Sequence, residues 1–171
     1  MRYSIAILLI LANTAWAAND VCTTGSMIEP FELSDQHGKP HTVNEYIRLI
    51  IFASDREASD IVHEALKSHN DTYLSAHQTV YILDISAIPS IICRMFVLPK
   101  MRKYSYSVLL DKKSDTTHML PRKQGHVTLI KLDKMVVESV KFVHSSGELT
   151  RAIKKAAVFS LFPFYVHRLP S

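Results

Sequence analysis

Glycine is scarce in this sequence: Gly25, Gly38, Gly125 and Gly147 are all that 171 residues contain. No G-x-G-x-x-G run exists, so no backbone loop is available to cradle a dinucleotide phosphate, and no resident cofactor is expected. Cysteine is scarcer still. Cys22 and Cys93 are too few for a disulfide scaffold, and no Cys-x-x-Cys pair exists. Nine histidines are present, but none pairs at H-x-x-x-H spacing on a predicted helix, and no Cys/His cluster has zinc spacing, so no metal site is expected. Charge of one sign is also lacking. A formal net charge of +4 gives no warrant for nucleic-acid binding. Internal repeats, low-complexity stretches and an obvious linker are absent.

Long hydrophobic runs are missing as well. The N-terminal run Ile5 to Ala12 is too short to span a bilayer. It follows Arg2 and precedes Ala15-Trp16-Ala17, which is the order of a basic region, an apolar region and a small-residue cleavage site. Residues 1–17 are therefore expected to be a secretory signal peptide, and the product periplasmic or secreted. Val21 before Cys22 argues against a lipoprotein. Losing Arg2 with the leader takes the formal charge from +4 to +3. The remainder is the size of one domain, expected over 18–157, followed by an apolar tail over 158–171.

The patterning predicts alternating strands and helices. Phe31–Ser34 and His41–Val43 flank turn residues and predict a hairpin. Arg48–Ala53 is a short apolar run suited to a buried strand. Ser54 with Glu57 has capping-box spacing, and Ala58, Ile61, Val62, Ala65 and Leu66 predict a helix from about Asp55 to Ser68. Gln78–Ile85 predicts the next strand. Ser86 is expected to cap a second helix with Pro89 in its first turn, burying Ile88, Ile91, Ile92, Met95 and Phe96 and ending at Pro99. Tyr106–Leu110 predicts another strand, and Val127–Leu132 with Val136–Val143 a second hairpin turning at Asp133-Lys134. A last helix carries Leu149, Ala152, Ile153 and Ala156.

This order resembles the thioredoxin fold as elaborated in peroxiredoxin-like proteins. Phe31-Glu32-Leu33-Ser34-Asp35-Gln36-His37-Gly38 resembles the F-x-L-x-D-x-x-G opening of that group. A further likeness is to small exported proteobacterial proteins, through Asp84-Ile85-Ser86-x-x-Pro89, Phe96-x-x-Pro99-x-Met101-Arg102-Lys103 and Tyr106. The resemblance implies an α/β thioredoxin-like three-layer sandwich with an N-terminal β-hairpin and a central mixed sheet.

It also implies where catalysis should sit. A catalyst of this type holds a thiolate at the N-terminus of the helix after the first central strand, where free N–H groups and the helix dipole stabilise it. Here that degenerate position reads Ser54, Asp55, Arg56, Glu57, with no sulfur. The Pro that the family places before the facing strand aligns with Val127 or His126. Catalytic residues are therefore expected to be none. Cys22 and Cys93 either bridge the N-terminal arm to the second helix, or stay as a free thiol and a small core residue.

One basic stretch remains. Lys100, Arg102, Lys103 and Tyr104, with Lys112, Lys113, Arg122 and Lys123 from a later loop, are either ordinary solvated loops or one combined patch for an anionic group or acidic protein partner. The tail can pack on its own domain, cover a partner or touch a membrane surface. The expected function is a non-catalytic exported binding or accessory protein. The alternative is an atypical thiol redox protein using Cys22 or Cys93.

Overall fold

The computed structural model describes residues 21–160. The predicted leader lies outside them, as does the predicted tail apart from the helical backbone of 158–160.

The chain folds around one seven-stranded mixed sheet. Its strands are β1 (Phe31–Asp35), β2 (Pro40–Val43), β3 (Leu49–Ala53), β4 (Thr79–Asp84), β5 (Leu109–Asp111), β6 (Val127–Asp133) and β7 (Val136–Val143), in the order β2-β1-β5-β4-β3-β6-β7. β3, β4 and β5 are parallel; β1 with β2, β1 with β5, β3 with β6 and β6 with β7 are antiparallel. The parallel trio needs crossover connections, and both crossovers contain helices. These are α1 (Arg56–Leu66) with α2 (Asp71–Ala76), then the segment 90–101, which comprises α3 (Ser90–Ile92), a π-turn (Cys93–Val97) and α4 (Leu98–Met101). α5 (Ser146–Ser160) closes the fold.

β3 is buried along its whole length because both faces of the sheet are covered. Alternation sends Leu49, Ile51 and Ala53 to the helical face, where they meet Val62, Leu66, Leu149 and Ile153. Ile50 and Phe52 point the other way, to a second core with Cys22, Ile28, Leu120 and Leu132. That far layer is made of chain without regular helix: the arm 21–30 and the loop 112–126. Backbone bonds stitch it down, from Cys22 N–H to the Met119 carbonyl and from Ile28 N–H to the Met135 carbonyl.

Several expectations are corrected. The α1 cap is Asp55 rather than Ser54; its Oδ1 accepts from the Ala58 N–H at 2.8 Å. Ser86 caps nothing. Its own N–H donates to Asp84 Oδ1 in a turn, and Pro89 holds the cap position of α3. Pro99 does not end the helix, which continues to Met101. Proline has no N–H to give and its ring crowds the carbonyl four residues back. The π-turn just upstream widens the ladder, with Leu98 N–H reaching Cys93 O, and absorbs that misfit. Ile91, Ile92, Met95 and Phe96 are exposed, not buried; Cys93 and Met101 fill the inward positions. The strand expected from Tyr106 begins only at Leu109. Before it, the buried Gln36 side chain stands in for a neighbouring strand, donating to the Tyr106 carbonyl and accepting from the Val108 N–H.

Candidate functional site

The end of β3 leads directly into α1, so the first turn of α1 lies at the carboxyl end of the parallel strands. Four free N–H groups would face outward there. Asp55 occupies that position with both oxygens engaged. Oδ1 takes the Ala58 N–H, and Oδ2 takes the Gly125 N–H at 3.0 Å from the loop before β6. Asp55 thus ties the helix start to the strand-entry loop beside Val127, which is fully buried. Arg56 and Glu57 are solvent-exposed, and Arg56 pairs loosely with Asp60. Ser54 lies partly exposed beside them. A carboxylate has no nucleophilic sulfur chemistry to offer, and this one is locked into two backbone bonds.

The strand ends beside it carry two further carboxylates that were not among the candidate site residues, although Asp84 belongs to a landmark motif. Asp111, buried at the end of β5, accepts from the N–H groups of Lys113, Ser114, Thr116 and Thr117. Asp84, at the end of β4, accepts from the Ser86 N–H, the Ser114 hydroxyl and the Arg122 guanidinium at 2.7 Å. Burial alone would raise the Asp84 carboxyl; the bonds from Ser86, Arg122 and Ser114 outweigh it and hold it below the usual carboxylate range. Arg122 also lies 5.0 Å over the Phe52 ring. Each group organises the loop 112–126. The available signal was an Asp closing an apolar run and followed by turn residues.

The two cysteines are free and buried. Cys22 belongs to the far core and Cys93 to the helical core, on opposite faces of the sheet. Layers pack about 10 Å from a sheet on each side, whereas a bridge needs Cα atoms within about 7 Å. The disulfide alternative is therefore corrected: the pair cannot meet in this fold. Burial pushes the Cys22 thiol up, away from a reactive thiolate, with its backbone hydrogen bond opposing more weakly.

The combined basic patch is also corrected. Lys112, Lys113, Arg122 and Lys123 follow β5 and lie with the carboxyl ends of the parallel strands. Lys100, Arg102, Lys103 and Tyr104 precede β5 and lie at the opposite end, where Arg102 Nε donates to the Gln36 carbonyl and the Ser105 hydroxyl to the His69 carbonyl. Lys123 sits 5.9 Å over Phe142. Tyr104 stacks on His63 at 4.5 Å, and His63 Nδ1 is 2.8 Å from the Tyr106 hydroxyl. Burial raises the Tyr106 phenol, with Tyr81 and Tyr104 nearby adding to the rise, so that hydroxyl stays protonated in its stack.

Comparison with solved structures follows this geometry. A protein from Chlorobium tepidum assigned as thiol:disulfide interchange protein DsbE superposes with a TM-score of 0.56 at 14% identity, over 81% of this chain and 97% of its own. One from Neisseria meningitidis assigned as a thioredoxin gives 0.51 at 16%, over 75% and 88%. Peroxidoxin BcpB from Mycobacterium tuberculosis gives 0.50 at 15%, over 78% and 97%. The chain has a thioredoxin-like fold, as the element order and the opening motif implied. No family model and no curated protein matches its sequence.

Proposed function

We propose that this chain is an exported thioredoxin-like protein that works by binding and does not turn over thiols or disulfides. The observation that carries this reading is Asp55, whose two oxygens are spent on Ala58 and Gly125 where a fold of this type can hold a thiolate. The burial of Cys22 and Cys93 in apolar cores on opposite faces of the sheet supports it. The order of residues 2–17 supports export.

The test is turnover. The purified chain is assayed for reduction of a mixed disulfide by glutathione and for reduction of hydrogen peroxide by dithiothreitol. Background rates are expected, unchanged in Cys22→Ser and Cys93→Ser. A rate above background that disappears in either variant overturns the reading and favours the atypical thiol redox alternative.

A further inference from the structure

Segment 90–101 turns an apolar stripe outward. Ile91 is 62% exposed, Ile92 45%, Met95 61% and Phe96 65%. Their spacing of one, four and five residues stacks them one turn apart on a single helical face. Cys93 and Met101, the buried positions, lie on the other side. The charge along this segment has one sign. Between Asp84 and Asp111 the sequence holds no acidic residue, but it holds Arg94, Lys100, Arg102 and Lys103. Among the described residues, Arg94, Lys100 and Lys103 enter no ion pair.

We infer that this face is a docking surface for an anionic lipid bilayer. An apolar stripe flanked by cations is what an interfacial helix presents: the stripe enters the headgroup boundary while the basic residues stay with the phosphates. Charge decides against a second copy. A two-fold contact through this stripe would set Arg94, Lys100 and Lys103 against their own counterparts with no carboxylate on either copy of the segment to offset them. It also decides against the chain's own segment 161–171, which carries Arg168 and no acidic residue. A bilayer surface satisfies both halves of the pattern at once. This goes beyond the non-catalytic reading and does not depend on it.

The experiment is vesicle flotation with the chain from Ala18 to Ser171, which contains every element found among the described residues. Vesicles are phosphatidylcholine alone or mixed with phosphatidylglycerol. Flotation is expected with the mixed vesicles alone, and is expected to weaken at about 1 M salt, where the screening length is about 3 Å. The double variant Ile92→Ser, Phe96→Ser should bind about tenfold or more weaker, because two side chains leave the apolar layer. Arg94→Glu with Lys103→Glu should lose binding to a similar degree. Phe162→Ser with Phe164→Ser should bind like the parent. All these positions on 90–103 are exposed, so an unchanged urea midpoint confirms the fold in each. The inference is overturned by absence of flotation with anionic vesicles, or by binding equal on neutral ones. Loss in the 162/164 variant alone overturns it too, as does sedimentation showing self-association that only the 92/96 variant abolishes.

Discussion

The two crossovers on the helical face of the sheet are built to different standards. α1 is capped by Asp55, buries Ala58, Val62, Ala65 and Leu66, and packs against α5, β3 and β6. The second crossover, 90–101, starts without a side-chain cap, contains a π-turn and a proline, and buries Cys93 and Met101 while exposing four large apolar side chains. Both have the length and topology of a βαβ connection. The difference teaches that α1 is held by a full buried face, whereas 90–101 is held by Cys93 and Met101 with Val97 and Leu98 half-buried beside them. A segment with an outward apolar face and few inward anchors stays in a folded protein when its outer face has work to do.

The sharpest way to break this contrast is to truncate one side chain on each helix and follow urea unfolding. Leu66→Ala removes a fully buried side chain and should cost about 2–5 kcal/mol. Phe96→Ala removes a larger one and should change stability by less than about 0.5 kcal/mol. Equal losses would show that 90–101 is packed as tightly as α1. The starts of the two crossovers come next. Asp55→Ala deletes the cap and the bond to Gly125, and should cost about 1–2 kcal/mol. Ser86→Ala removes a hydroxyl contact to Asp84 but keeps the backbone N–H bond of the turn, and should cost less than Asp55→Ala, about 0.5–1 kcal/mol.

Acid titration sharpens the comparison further, because Asp84 anchors the turn that launches the second crossover. Its carboxyl sits below the ordinary range in the folded state. That contribution is fully present above the unfolded value of about 3.9 and is lost as pH falls through the lower folded value. Urea midpoints measured from neutral to acid pH should fall less steeply in Asp84→Asn than in the parent. The smallest effect is local. Amide exchange should be slow for the buried side of α1 and faster across 90–97, with global stability unaltered. Equal protection would contradict the picture of a crossover with the thinner set of core contacts.

Much of this was legible in the sequence, for reasons that differ by element. β3 and β4 are short apolar runs whose burial follows from a sheet covered on both sides. α1 declares itself through helical spacing, and its cap was misplaced by a single residue. The pattern at Ile88, Ile91, Ile92, Met95 and Phe96 did reveal one apolar helical face. Periodicity identifies such a face but not what lies opposite it, and here Ile88 alone of the five reaches the core, which otherwise takes Cys93 and Met101. Tyr106–Val108 reads as strand because its residues suit one; the neighbouring β1 ends at Asp35, and Gln36 supplies the missing partner atoms through its side chain. Asp55 was visible as a residue at the start of α1. Its tie to Gly125 spans 70 residues of chain and belongs to tertiary structure alone. The separation of the two basic groups likewise follows from strand direction, which composition does not encode.

The placement of Cys22 and Cys93 on opposite sides of the sheet has a practical consequence. No native molecule can join these sulfurs internally, so an S–S link between them is a scar of unfolding or of oxidation before folding finished. In an oxidising compartment the pair therefore acts as a built-in quality mark: a band of altered mobility on a non-reducing gel counts the chains that went astray.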